Sequence, residues 1–476
     1  MQENANMPKP SYDPSNPSSI FHYSKGLINK SLAQAVMEKD PDIKKELLFK
    51  NGKGKLGQLV EKFYFGYEPN NSPDPDFSEA GVELKTTPLK KLKNEELAIK
   101  ERLVCDMIDY QAVVNTPFEE SAFYRKSLLM LILFYLHEQM KPAYDLQFLY
   151  SVLWQLKEKD LLIIKQDYEF IINKIKEGKA HELSEGDTMY LGACRKGQKG
   201  ESPRSQPFSP IMAPRRAFSL KPSYMRSILE FIQKSGKLAV SNTEIADNGT
   251  QLVDVEELRK NKFEKILTER FKPFEGKDYK QIAEMLNLRV SASEKSKYGR
   301  IAQNILHRGL RRFEDAEEIR KAGIIAKAVR IELNGTVKES MSFENINFQE
   351  VLETPDWEDS RWYEIATSKF MFVVFKAVPS DWKGKTRYVF DRLVFWTMPP
   401  SDLDTAKEYW ENIRQNVLSD TLESDNTFWK ISTHRNFHVR PKAKDSKDCT
   451  ISPISGKEVP KKCYWFNRGY VAKILN

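Results

Sequence analysis

The sequence predicts a mixed α/β (α+β) fold built twice in tandem, each copy a mixed sheet flanked by helices. Three observations predict it. The chain has 476 residues, too many for one ordinary core and suited to two. KGKLGQLVE, from Lys53, reads onto KSKYGRIAQ, from Lys295, at a shift of 242 positions; AGVELK, from Ala80, reads onto AGIIAK, from Ala322, at the same ungapped shift. Within each copy the apolar pattern passes from helical to strand period.

The elements follow in order. Residues 1–20 lack an apolar core, do not resemble a signal peptide and are expected to form a flexible arm. The first copy is expected over 21–236. In GKLGQLVEKFYFG, Leu56, Leu59, Val60 and Phe63 share one helix face, while Lys53, Gly57 and Glu61, each four apart, form another stripe. In AGVELKTTP, Val82 and Leu84 point one way, Glu83 and Lys85 the other, and Pro88 is expected to close the strand or mark an edge. SLLMLILFYL (Ser127 to Leu136) is too short to span a bilayer and reads as a buried central strand or a short core helix. RAFSLKPSYMRSIL, from Arg216, reads as an aromatic strand followed by a helix. Residues 237–254 are polar and expected to be a linker. The second copy, 255–476, repeats the order more loosely: VKESMSF from Val337 for IKERLVC from Ile99, KFMFVVFKAV from Lys369, and CYWFNRGYVAKIL from Cys463.

Composition narrows the function classes. Hydrophobic residues make up 40% and charged residues 30%, a globular balance, and a cytoplasmic setting without membrane partners is expected. The net charge of +8 and pI near 8.9 favour a polyanionic partner. Cys105, Cys194, Cys449 and Cys463 show no CxxC spacing, and the six histidines form no metal-ligand pair on a helical face.

The chemistry concentrates in the spacing Asp76, six residues, Glu83, one residue, Lys85. Two carboxylates offer hard oxygen ligands for a small divalent cation such as Mg²⁺. Lys85 beside them can orient or help deprotonate a water and steady charge at a phosphate, and Glu61 can hold a metal-bound water or Lys85. The alternative is a solvated strand face with ordinary Glu/Lys alternation. Against it, the pair interrupts an apolar strand. The second copy also loses the acids selectively: Glu61 becomes Gln303, Asp76 becomes Glu318 and Glu83 becomes Ile325, while Lys85 persists as Lys327.

KGKLGQLVE, DFSEAGVELKTTPL and RAFSLKPSY resemble the MutH mismatch-repair nicking endonuclease, and more closely the Sau-type type II restriction endonucleases that cut at GATC. AGVELKTTPLKKLKN, KERLV, EGKAHELSEG and RRAFSLKPSYM carry the Sau-type likeness. The resemblance implies a tandem PD-(D/E)xK restriction-endonuclease-like (MutH-like) fold with catalytic and metal-binding residues Glu61, Asp76, Glu83 and Lys85, and DNA contacts at Lys53 and Gly54. It implies Mg²⁺-dependent double-strand cleavage at 5′-GATC-3′ and a second, non-catalytic domain that binds another GATC copy as an effector. The chain departs from MutH in two places. The IRPKA-like base-reading run is ACRKGQK in the first copy and HVRPKA, with Arg440 and Lys442, in the second. The tyrosine of the late strand is replaced by Ser219 in the first copy and Trp465 in the second.

Lys90, Lys91 and Lys93 form a basic cluster after the strand, read either as phosphate contacts or as a solvated turn. Arg195, Lys196, Arg216 and Lys221 are candidates for the DNA-reading edge, and Lys126 is a further one. The expected activity is type II restriction of double-stranded DNA, with two chains meeting on the palindrome and no nucleotide cofactor. A mismatch-repair nickase and a non-catalytic DNA-binding regulator are the alternatives.

Overall fold

The computed structural model describes residues 11–41, 56–70, 72–92, 95–196, 202–243, 249–379, 386–433, 436–442 and 448–476. Two units emerge: Met1–Leu183 with Tyr190–Gly249, and Ser184–Met189 with Thr250–Asn476. Among the described residues no helix is long and apolar enough to cross a membrane.

The described strands of the first unit are β1 (Glu83–Lys91), β2 (Leu97–Ile99), β3 (Leu103–Met107), β4 (Leu129–Leu136), β5 (Phe148–Gln155), β6 (Leu191–Arg195), β7 (Arg204–Gln206), β8 (Ser209–Ala213), β9 (Arg216–Leu220) and β10 (Ala239–Ser241). They form a mixed sheet in the order β10-β5-β4-β1-β2, a sheet β3-β9-β6 and a hairpin β7-β8. β1 runs parallel to β4, and β4 antiparallel to β5. The apolar run Ser127–Leu136 is thus largely a strand, not a helix. It lies between β1 and β5, and Met130 to Phe134 are at most 1% exposed, which is why it reads as unbroken apolar sequence. Pro88 does not close β1. The strand continues to Lys91, because the Pro88 carbonyl still accepts from the Lys100 amide at 3.2 Å.

The second unit repeats this plan with β11 (Ile325–Ile331), β12 (Met341–Asn345), β13 (Phe370–Pro379), β14 (Thr386–Trp396), β15 (Phe437–Pro441), β16 (Cys449–Ile451), β17 (Glu458–Pro460) and β18 (Lys462–Phe466). Its sheets β11-β13-β14 and β12-β18-β15 and its hairpin β16-β17 match β1-β4-β5, β3-β9-β6 and β7-β8 in order. The parallel pair begins Glu83↔Met130 in one and Ile325↔Phe370 in the other. Each unit has a 19-residue helix, Glu158–Lys176 and Pro400–Leu418. In the second unit Trp362 is fully buried and stacks on Tyr464, while Trp357 and Trp396 are partly buried against the same core.

Two expected boundaries need correction. Ala239–Ser241, placed in the linker, pairs in parallel with Ser151–Leu153 as the edge of the first sheet. From Tyr12 onward the expected flexible arm is docked. Asn16 caps the helix Pro17–Ser24, Pro17 supplies a preset φ at its first position, and Ile20 and Phe21 enter the core. The Tyr12 hydroxyl donates to the Phe65 carbonyl at 2.9 Å, and its ring meets Tyr23, Phe65 and Phe77. Tyr12→Phe should therefore lower unfolding stability by about 1 kcal/mol in denaturant titration, the value of one hydrogen bond; an unchanged midpoint would mean the segment is not docked.

Candidate active site

The site is built on the first turn of the repeat and on β1. Leu56–Leu59 is α-helical, and Val60–Phe65 continues it as a π-helix ending at Gly66, whose φ is 78°. π-Turns are rare and recur where a side chain must be re-aimed. Here the turn carries Glu61. The carbonyls at its end, left without helical partners, are taken by tyrosine hydroxyls: Phe65 by Tyr12, and Tyr64 by Tyr23 at 3.1 Å. Gly57 lies close to β1; a Cβ there would stand 3.4 Å from Thr86 Oγ1 and 3.9 Å from Glu61 Oε1.

Asp76 folds back onto β1 through a tight turn. Phe77 and Val82 exchange backbone hydrogen bonds of 2.9 and 3.2 Å, and Gly81 takes φ 65°, a conformation that favours glycine. The turn places the Asp76 amide 3.2 Å from Glu83 Oε2, while the Leu84 amide donates to Asp76 Oδ2 at 2.9 Å. Lys85 Nζ donates to Glu83 Oε1 at 2.7 Å and to the Cys105 carbonyl at 3.4 Å; Lys126 Nζ lies 3.7 Å from the same Glu83 oxygen. Glu83 is only 2% exposed, so the solvated-strand alternative fails: its carboxylate is buried and held by ion pairs.

Burial shapes the charges. It pushes the Asp76 carboxyl up to about 6, with the Glu83 charge adding to it and the Leu84 amide and the lysines opposing. Burial and then Asp76 push Glu61 up to about 7, against the pull of Lys85. Asp106 is also raised by burial, with Lys126 the main opposing charge. For Lys85, burial alone would favour the neutral amine, but the Glu83 charge, helped by Cys105 and Asp76, outweighs it and the ammonium form gains overall.

Among the described residues no three Asp, Glu, His or Cys side chains already stand as a finished metal cage. The donor set nevertheless fits a hard divalent cation. Asp76 and Glu83 carry oxygen donors joined through one backbone turn, Glu61 faces them electrostatically, and burial makes two of the three acids hard to ionise.

The second unit lacks this arrangement. Glu318 is fully buried and accepts the amides of Leu252 (3.0 Å) and Val253 (3.3 Å), a structural role. Lys327 reaches the Ser342 carbonyl at 3.3 Å, as Lys85 reaches that of Cys105, but Ile325 stands where Glu83 would pair with it. Burial, then the nearby Lys442, pulls its ammonium down.

The expected DNA contacts divide. Lys53 and Gly54 lie outside the described residues, as does Lys93. Lys126 belongs to the acid cluster. Arg195, Arg440 and Lys442 are exposed and Lys196 is half-buried. The Arg440 guanidinium sits 3.7 Å from the Trp465 ring centroid, and Lys442 donates to Ser342 Oγ at 2.9 Å. Three candidates require correction. Arg216 and Ser219 lie on β9, the central strand of its sheet: Arg216 is 4% exposed and its guanidinium donates to the Ala193 and Leu183 carbonyls, and Ser219 is fully buried. Lys221, just past that strand at the start of the helix Pro222–Ser235, is 6% exposed. Sequence reasoning missed Asp106 and the role of Lys126 in the cluster, since neither is at a telling spacing from Glu83.

Comparison with known proteins fits this geometry. The family profile described as DNA mismatch repair enzyme MutH matches residues 65–167. The type II restriction enzyme Sau3AI of Staphylococcus aureus is 35% identical over 447 residues, 88% of this chain and 87% of the relative. The chain belongs to the Sau3AI family of type II restriction enzymes. It is thus a site-specific endonuclease. The DNA mismatch repair protein MutH of Shewanella woodyi is 30% identical over 184 residues, 38% of this chain and 77% of that protein. The MutH of Shewanella baltica is 27% identical over 202 residues, 42% of this chain. The Sau3AI likeness thus extends over far more of the chain than either of these.

Glu318→Ala should destabilise the protein by about 1–3 kcal/mol in chemical unfolding, because it leaves buried amides unpaired. A neutral effect would remove the structural role assigned to that acid.

Proposed function

We propose that this restriction enzyme cuts double-stranded DNA at 5′-GATC-3′ with Mg²⁺, using Glu61, Asp76, Glu83 and Lys85 of the first unit. The second unit binds a further GATC copy without cutting and acts as an allosteric effector. The observation that carries the reading is the buried Glu83–Lys85 pair beside Asp76, set against Ile325 at the matching register of the second unit. The sequence preference rests on the likeness of AGVELKTTPLKKLKN and RRAFSLKPSYM to Sau-type motifs. One set of acids per chain, applied to a palindrome, calls for two chains on DNA.

Asp76 and Glu83 would hold the cation, with Glu61 holding a water on it. When bound, the cation polarises the phosphate and lowers the cost of the negative charge that develops there. Lys85, kept as an ammonium by Glu83, is a donor: it orients the attacking water and faces the phosphate oxygens, and it does not take the proton. Glu61, raised to about 7, is placed to accept that proton near neutral pH. The water oxygen bonds to phosphorus, the bond to the leaving oxygen breaks, and that oxygen is protonated from solvent. Exposed Arg195, Arg440 and Lys442 and half-buried Lys196 would meet phosphate or base edges.

Digestion of an unmethylated plasmid with several GATC sites should give discrete GATC-ended fragments with Mg²⁺ and none with chelator. Glu83→Ala and Lys85→Met should each cut at least about 100-fold more slowly. Accumulated nicked circles would favour a repair nickase, and binding without cleavage a regulator. Cleavage should fall as pH drops through 7 to 6, because Glu61 and Asp76 then take protons and lose their value as ligands and base. A flat rate from pH 8 to 5.5 would contradict the acid assignments.

A further inference from the structure

The second unit is short of acid where the first is rich in it. Ile325 stands at the register of Glu83 and Lys327 at that of Lys85, while Glu318 is taken up by the Leu252 and Val253 amides. A second cation then joins Lys327. Lys327 Nζ donates to the Ser342 carbonyl at 3.3 Å; Lys442 Nζ donates to Ser342 Oγ at 2.9 Å and to the Phe343 carbonyl at 3.1 Å. Among the described residues neither ammonium forms an ion pair, and Glu314 acts on Lys327 from beyond that range. Lys85, by contrast, is paired with Glu83 at 2.7 Å.

The strand register gathers these groups on one sheet face. Trp465 of β18 lies opposite His438 of β15 and Ser342 of β12, and Arg440 lies opposite Cys463. Lys442 follows Arg440 by two and is held in line by its amide, which donates to the Lys461 carbonyl at 3.2 Å. The matching registers of the first unit hold Gly192, Cys194 and Ser219 where the second has His438, Arg440 and Trp465. The Arg440 guanidinium and the ring it stacks on are therefore particular to the second unit.

Two ammonium groups bonded to one residue repel, and each has N–H donors left over. An anion with several oxygens accepts from both and removes the repulsion, through hydrogen bonds strengthened by charge. We propose that the second unit's counterpart of the active site is a phosphate site, in which Lys327 and Lys442 clasp one DNA backbone phosphate directly and Arg440 supports them from the same face. The proposal rests on the reading that this unit binds DNA, and adds where it grips.

The test uses the full chain as wild type, Lys327→Gln, Lys442→Gln and Lys442→Arg. A short uncleavable GATC duplex is titrated calorimetrically in chelator at several salt concentrations, and the same duplex is added in Mg²⁺ to cleavage of a plasmid with one GATC site. The expected result is duplex binding in chelator that each glutamine variant weakens about tenfold, with a salt slope lower by about one, and that Lys442→Arg restores. Lys442 is exposed, so its variants should melt with the wild type even if Lys327→Gln does not fold. Affinity and slope unchanged in Lys442→Gln would overturn the phosphate site. Wild-type cleavage that the duplex fails to accelerate would overturn the effector reading instead. Weaker binding of inorganic phosphate in the variants, with duplex affinity kept, would overturn the DNA assignment and make the ligand a free anion.

Discussion

Everything at the candidate site depends on a carboxylate that should not be where it is. Glu83 opens a strand buried on both faces, at 2% exposure, where an unpaired charge would be prohibitive. Lys85 and Lys126 make it tolerable, and the Asp76 amide contributes a third interaction. Asp76 and Glu61 are then buried beside the same charge, which Lys85 and Lys126 offset only in part. A buried cluster with more acid than base is poorly matched to itself and well matched to an incoming divalent cation.

The surrounding fold holds that mismatch in place. β4 fixes the register of β1, and the Phe77–Val82 turn returns Asp76 to it. The π-turn brings Glu61 in from the other side and is tied at its end by Tyr12 and Tyr23. The N-terminal segment thereby supports the candidate site. In the second unit the same strands remain, but Ile325 and the amide-bound Glu318 replace strain with ordinary packing. That unit keeps the scaffold, with exposed Arg440 over buried Trp465.

Much of this was legible in the residues. The constant shift exposed the duplication, because both copies need the same helix start and the same left-handed glycine before the strand; Gly81 and Gly323 have φ of 65° and 64°. Period-2 spacing put Glu83 and Lys85 on one face, and the selective loss of acids set the second copy apart. Other features were hidden for physical reasons. A π-turn has no sequence period of its own over six residues, so Val60–Phe65 read as ordinary helix. Pro88 signals an edge, yet β1 spends its missing donor without losing the strand. Arg216 and Ser219 have surface-seeking side chains that pairing of β9 on both edges turned inward, and Lys221 is buried where the next helix begins. Lys126 and Asp106 join the cluster only through folding, from segments that spacing along the chain cannot relate.

The central claim is that burial beside Glu83 makes Asp76 and Glu61 hard to ionise until a cation joins them. It is tested most directly by stability against pH in chelator, comparing wild type with Asp76→Asn. Both Asp76 and Glu61 have folded pKa values above their ordinary ones, so the folded state binds protons more tightly than the unfolded chain. Their stabilising contribution is complete near pH 4 and is lost as pH rises through 6 and 7. The account predicts that wild-type stability, less that of Asp76→Asn, falls by about 2 kcal/mol between pH 5 and 8, and that Mg²⁺ restores it at pH 8. A difference that stays flat or rises with pH, or one that Mg²⁺ leaves untouched, would contradict it.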